Sequence, residues 1–370
     1  MRIALDVSPL DRPHATGVEK ALLQLLAGLK ALPDQNEYFL VAPKRPWLLP
    51  ELADPRFRPV SLVGGGRRLL WRERLVPAFA HRVRVDLWHS PVQAIPLLLD
   101  RPKVATLHEL SWMETEEVDD EGSLARRRGV AYIVSRSADR IVCVSECTRR
   151  DFLTLHPSAE PKTVVIHHGV DPVYAQAKPD PMRLSEAYDV PADVPWFLTL
   201  GRALKRKGLP HAVRALRVLL DRTGGPYHLV MAGEENATLR AARDLAVRLG
   251  LAQRVHITGY VNEPDLPALY AGAAALLVPS ESEGFGMPLL EAMAAGTPVV
   301  ANRRAALPEV AGGAAILVDF QKPLEAAEGL LRALGNERED WIERGRARAA
   351  QFPVEAPARK LLALWRELAG

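Results

Sequence analysis

The chain has 370 residues, of which 48% are hydrophobic and 25% charged, with a formal net charge of +3. That length favours two domains over one, and the composition is that of an ordinary globular protein able to bury a large core without staples. The small charge gives no argument for nucleic acid, no apolar run approaches the roughly 18 residues of a spanning helix, and the two cysteines, Cys143 and Cys147, have neither redox nor zinc-ligand spacing and read as buried, reduced thiols.

In chain order, MRIALDVSPL opens with a strand over Arg2–Val7; Asp6 within it argues against a signal sequence, and a cytoplasmic protein is expected. A helical pattern follows in GVEKALLQLLAGLKAL, where Val18, Leu22, Leu25, Leu26 and Leu29 share one face. Further strands are predicted at Tyr38–Ala42, Val85–His89, Val104–His108, Arg140–Ser145 and Thr163–His167. Short apolar runs alternating with helices argue for parallel strands with crossover connections, the doubly wound α/β class. Between Arg56 and Arg84 lie eight arginines and one acidic residue, Glu73, interleaved with Leu69, Leu70, Trp71, Leu75 and Phe79. Such a segment can lie on an anionic membrane surface or steer an anionic substrate. A solvated helix face with an apolar inner side is the other reading.

Five prolines between Pro172 and Pro195 mark a hinge. They place a domain boundary near residue 185, between domains at 1–184 and 185–352. The alternation then restarts with PWFLTLG, YHLVMAG, RVHITG, AALLVPS, TPVVAN and AAILVD, and FPVEAPARKLLALWRELAG closes the chain as an amphipathic helix.

Sheets of this class bind ligands beyond the carboxyl ends of their strands. In GRALKRKGLPHAV, Arg202, Lys205, Arg206 and Lys207 follow a strand end and suit an anionic ligand, the alternative being a solvated basic turn. In PSESEGFGMPLLEAM, Gly284 and Gly286 let a ligand approach the backbone, and Pro288 opens a helix whose free N–H groups favour negative charge. Glu283 in the turn and Glu291 in the helix would repel a phosphate but can accept from hydroxyl pairs. One on a ribose and one on a second polyol would describe a nucleotide-sugar; a turn residue and a helix-surface glutamate are the plainer readings. No G-x-G-x-x-G after a strand, G-x-x-x-x-G-K-[ST], G-x-S-x-G, H-E-x-x-H or D-x-D pair occurs, so a diphosphate would be neutralised by arginine, lysine and helix dipoles.

Over nearly its whole length, and most densely from Leu200 to Asp319, the sequence resembles the retaining glycosyltransferases of family 4. The resemblance rests on GRALKRKG, TGYVNEPDLPALYAGAAALLVPS, the E-x7-E element EGFGMPLLE and AMAAGTPVVANRRAALPEVAGGAAILVD. It implies the GT-B architecture: two Rossmann-like, doubly wound domains facing across a cleft, with the final helix 353–370 packing back on the first domain and Trp365 as its anchor. It further implies that Arg202 and Lys207 neutralise the donor diphosphate and that Glu283 binds hydroxyls of the transferred sugar. The backbone of Gly284, Phe285 and Gly286 would lie near sugar and phosphates, Glu291 would hold the ribose, and Tyr260 and Val261 would flank the base. In the first domain Gly17 would lie beneath the diphosphate and His108 would face the donor sugar. Two departures occur: the usual histidine–aspartate pair is His108–Glu109, and the usual asparagine before GVD is His168.

The expected reaction is transfer of a hexose, mannose from GDP-mannose ahead of UDP-hexoses, to a glycan or polyisoprenyl-linked acceptor, without metal or other cofactor. Residues 56–84, and Arg126–Arg128 beside the acidic run METEEVDDE, hint at an acceptor held at the inner membrane face. A nucleotide-sugar-binding protein without transfer activity is one alternative. A GT-B epimerase is another, for which nothing beyond His108 supplies an acid/base group.

Overall fold

A computed structural model of the chain describes residues 1–50, 52–63, 68–110 and 124–370. The acidic run and residues 64–67 of the basic segment lie outside the described residues. The chain divides into two compact units, Met1–Gly169 with Val354–Gly370, and Val170–Pro353.

Among the described residues, the first unit holds β1 (Arg2–Asp6), β2 (Glu37–Ala42), β3 (Phe57–Ser61), β4 (Leu87–Ser90), β5 (Lys103–Leu107), β6 (Arg140–Cys143) and β7 (Thr163–Val165). They pair in the order β3-β2-β1-β4-β5-β6-β7, all parallel. Strands covered by helices on both faces read as continuous apolar runs, which is why they stand out in the sequence. Helix Gly17–Ala31 buries Leu22, Leu25, Leu26 and Leu29. Helix Glu355–Ala369 joins the same core through Ala358, Leu361 and Trp365, and the Trp365 ring lies edge-on to His89 at 5.4 Å. Cys143 and Cys147 are buried free thiols, which burial pushes up to about 12 and about 11.

The basic segment is not one amphipathic helix. It begins with the edge strand β3, where Pro59 is tolerated because an outer strand can spare a donor. Only then does the chain turn helical, through Arg68–Leu70, the π turn Trp71–Leu75 and Val76–Val83. Arg56 is committed to Asp54 and to the carbonyls of Lys30 and Leu32, and Arg58 to Glu37. Trp71 and Phe79 are core residues.

The second unit holds β8 (Trp196–Leu200), β9 (His228–Ala232), β10 (Val255–Gly259), β11 (Ala275–Val278), β12 (Val299–Asn302) and β13 (Ile316–Val318), parallel in the order β10-β9-β8-β11-β12-β13. The order reverses between β8 and β11, and at such a switch point the flanking loops diverge and leave a crevice for ligand. This unit begins earlier than the expected boundary at residue 185 because the proline-rich stretch is not free linker. The Tyr174 ring packs edge-on to Tyr270 at 5.6 Å, the Tyr188 hydroxyl donates to Asp265 at 2.5 Å, and Val170 N–H donates to the Phe352 carbonyl at 2.8 Å.

Candidate active site

Beyond β8 the half-buried Arg202 opens a turn that passes through Lys205–Lys207 as a single 3-10 turn. Two bonds fasten it to the loop after β11: Glu281 N–H donates to the Arg206 carbonyl at 2.7 Å, and Arg206 Nη1 donates to the Ser282 carbonyl at 3.1 Å. Gly208 closes the turn at φ 64°, and a Cβ there would lie 2.4 Å from the Pro279 carbonyl oxygen. A side chain would break both the backbone conformation and the approach of the two loops.

That approach brings Lys207 and Glu283 together. Lys207 Nζ stands 2.5 Å from Glu283 Oε1, and the Ser280 hydroxyl donates to the same oxygen at 2.8 Å. Glu283 is buried, and a buried carboxylate survives only with paired charge and hydrogen bonds. Burial pushes its titration upward, and the charges of Lys207 and Arg206 outweigh that and hold the carboxyl below its ordinary range. At neutral pH it is therefore a fixed anion.

Helix Met287–Ala295 starts immediately after. Gly286 caps it at φ 92°, Pro288 brings no N–H to the first turn, and Leu289 N–H donates to the Gly286 carbonyl at 3.0 Å, which leaves the Met287 N–H as the first-turn amide without an intrahelical partner. Gly284 is buried, and the Phe285 ring lies edge-on to Phe352 at 6.1 Å. Phe285 therefore has only backbone to give a ligand. Glu291 lies on the same helix and is 2% exposed, which excludes the surface-glutamate reading. The Tyr270 hydroxyl donates to its Oε2 at 2.6 Å, while its Oε1 is buried without a hydrogen-bond partner. Tyr260 and the buried Val261 follow β10, the outer strand of the sheet. Burial first, then the charge of Glu291 and, more weakly, that of Glu263 in this loop raise the Tyr174 and Tyr270 phenols.

In the first unit, His108 stands one residue beyond β5. Its Nε2 lies 2.7 Å from the Pro91 carbonyl, and its ring stacks on His168 at 5.3 Å and 17°. A carbonyl can only accept, so Nε2 carries the hydrogen and Nδ1 of the neutral ring is an acceptor. Burial lowers its titration, partly offset by the Pro91 bond and the charge of Glu19. Gly17 begins the helix Gly17–Ala31, and a Cβ built there meets nothing within 4 Å. Glu19 fixes this helix start by accepting from Thr16 N–H at 2.9 Å.

Residues 15–174 match the family model described as Glycosyltransferase Family 4, and residues 183–348 the one described as Glycosyl transferases group 1. The chain is 30% identical to the D-inositol 3-phosphate glycosyltransferase of Corynebacterium kroppenstedtii, over 89% of this chain and 80% of that one. This chain belongs to glycosyltransferase family 4. It is a transferase, and its two doubly wound units are those of the GT-B fold. The Escherichia coli O-antigen chain mannosyltransferase B is 28% identical over 73% of this chain and 71% of its own length. Among solved structures, HepE of Anabaena in complex with UDP-glucose shares the fold with a TM-score of 0.79 at 20% identity, over 99% of both chains.

Ser280, Tyr270 and Tyr174 take part in these arrangements and carry no sequence signal strong enough to single them out, whereas Arg206 belongs to the basic turn that the sequence marks. Ser280 flanks the glycine turn; Tyr270 looks like one more apolar position of a buried helix. Among the described residues, no group of three or more His, Cys, Asp and Glu is placed to hold a metal ion, and no helix is long and apolar enough to cross a membrane.

Proposed function

We propose that this glycosyltransferase moves a hexose from a nucleoside diphosphate to an acceptor hydroxyl with retention of configuration, using mannose from GDP-mannose ahead of UDP-hexoses. The observation that carries this reading is the Lys207–Glu283 pair at the start of helix Met287–Ala295. It sets a cation and a fixed anion beside the positive end of a helix at a switch point. The relation to an O-antigen mannosyltransferase supports the preferred sugar.

In this reading Arg202, Lys207 and the helix start stabilise the departing diphosphate, where negative charge develops in the transition state. The reading is metal-independent because these cations do the work of a divalent ion. Lys207 and Ser280 both engage Oε1 of Glu283, which leaves Oε2 to accept from hydroxyls of the sugar. A carboxylate tied to a lysine is a poor nucleophile, so Glu283 positions the sugar. The bond from the anomeric carbon to phosphate breaks, the acceptor oxygen bonds to that carbon on the same face, and the acceptor's proton passes to the released phosphate oxygen. Glu291 accepts from the ribose, Tyr260 and Val261 flank the base, Gly17 lies under the diphosphate, and His108 accepts a sugar hydroxyl through Nδ1.

The acceptor in this reading is a glycan or polyisoprenyl-linked hydroxyl at an anionic membrane surface. Exposed Leu69, Leu70, Arg74, Arg82 and Arg84 along this one helical stretch support that placement.

The reaction is tested by incubating GDP-mannose and UDP-hexoses with polyisoprenyl-linked and glycan acceptors and reading the product by proton NMR. A new linkage with the donor's anomeric configuration is expected. Inverted product would overturn the retaining mechanism, and saturable donor binding without product from any acceptor would leave a binding protein.

A further inference from the structure

The buried pair Tyr270–Glu291 asks for an explanation that helix packing does not supply. Glu291 lies within an otherwise apolar helix, MPLLEAMAA, at 2% exposure. A core position of that size is served more cheaply by leucine, and an acceptor left dry in a core is costly. Oε2 accepts from the Tyr270 hydroxyl at 2.6 Å, and the Tyr174 hydroxyl also stands against the carboxylate. Oε1 is buried and has no partner within hydrogen-bond geometry.

Tyr270 is itself held from several sides. It is fully buried on helix Leu266–Gly272, its carbonyl accepts from the Thr297 hydroxyl at 2.6 Å, and the Tyr174 ring meets it edge-on. Burial, and then the charge of Glu291, keep its phenol well above the usual range, so it stays protonated and donates. One oxygen of Glu291 is thus pinned by a donor that cannot leave, and the carboxylate cannot rotate without breaking that bond.

We infer that Tyr270 is a positioning residue whose hydroxyl fixes Glu291 through Oε2 and so leaves Oε1 as a single, aimed acceptor for a ribose hydroxyl of the donor nucleotide. This rests on the nucleotide-sugar reading above. Its consequence is that discrimination for ribose belongs to the pair, not to the carboxylate alone. A site built around one buried, unanswered acceptor rejects a ligand that lacks the matching hydroxyl, because the acceptor then stays unpaired.

The test is calorimetric titration of the full chain with GDP or UDP, whichever binds better, and with its 2′,3′-dideoxy analogue, in wild type, Tyr270→Phe and Glu291→Gln. Wild type should prefer the ribonucleotide by about 10- to 100-fold, the range of one hydrogen bond to a charged group. Glu291→Gln should lose most of that preference. Tyr270→Phe should weaken the ribonucleotide about tenfold or more and leave the dideoxy analogue nearly unchanged. Retained dideoxy binding also shows that the variant's site is folded. Equal weakening of both ligands in Tyr270→Phe would make the tyrosine merely structural and overturn the inference. So would full ribose preference in Tyr270→Phe alongside its loss in Glu291→Gln, a result that leaves the nucleotide-sugar reading standing. Undiminished preference in Glu291→Gln, or no binding of either nucleotide to wild type, removes the underlying reading and the inference with it.

Discussion

Lys207 and Glu283 are 76 positions apart in the chain and 2.5 Å apart in the fold, so each changes what the other can do. Replacing Lys207 by alanine should lower turnover about 10²–10³-fold, the range for losing one oxyanion donor, and should leave Glu283 buried without its cation. Steady-state kinetics with any accepted donor checks this; near-wild-type turnover takes Lys207 out of the mechanism. A second residue-scale consequence concerns pH. Burial, and then the charge of His108, push the His89 imidazole from 6.5 down to about 3. The unfolded chain therefore binds a proton between those values that the folded chain refuses. The contribution of His89 is complete above pH 6.5 and is lost as pH falls toward about 3, at about 1.4 kcal/mol per pH unit while the difference lasts. Urea unfolding from pH 7 to 4 should show this slope, and His89→Gln, which can keep a bond to Thr106, should flatten it by about one proton. An unchanged slope would mean that other groups carry the acid sensitivity. At this scale the sequence was legible in residue type and position: the basic turn and the two glutamates stand where the strand ends put them. Their partners were not, because Ser280, Tyr270 and the lysine–carboxylate pairing are products of tertiary approach.

At the scale of elements, Gly208 and Gly17 make opposite demands. Gly208 combines a positive φ with a Cβ position 2.4 Å from a carbonyl oxygen, whereas the space over Gly17 is open. Gly208→Ala should cost more than about 1 kcal/mol of stability and loosen the turn that carries Lys207. Gly17→Ala should melt at or slightly above the wild-type temperature, since alanine is the better helix residue, yet raise the donor KM if ligand occupies that space. Thermal unfolding paired with kinetics separates the two; a destabilised Gly17→Ala with normal KM would contradict the assignment of Gly17. Most strands could be read directly because buried parallel strands are continuous in Val, Ile and Leu. β3 could not: FRPVS exposes its middle residues at an edge and contains a proline, so its local pattern resembles a loop. The first domain boundary slipped for a related reason. Prolines advertise a hinge, while Tyr174, Tyr188 and Arg183 dock the same stretch onto the second unit.

For the whole molecule, the proposed membrane contact falls to the helical part of the basic segment, since Arg56 and Arg58 are spent on internal carboxylates and carbonyls. Each exposed arginine near an anionic surface is worth about 1 kcal/mol, so replacing Arg74, Arg82 and Arg84 together by glutamine should weaken binding to phosphatidylglycerol vesicles about 100-fold. Co-sedimentation at low and high salt checks this, and unaltered binding would move the contact elsewhere. The family and fold were legible because motifs spread along the chain fall, in order, at strand ends that only one architecture orders that way. The donor's base and the acceptor were not, since no motif in the sequence distinguishes one base or one acceptor from another. The most direct measurement is calorimetric binding of a panel of GDP- and UDP-hexoses, with slow hydrolysis of each donor followed in the absence of acceptor. Saturable binding in about the micromolar to millimolar range, with GDP-mannose foremost and its hydrolysis detectable, is the expected result. A panel in which no nucleotide-sugar binds would contradict the account at its centre.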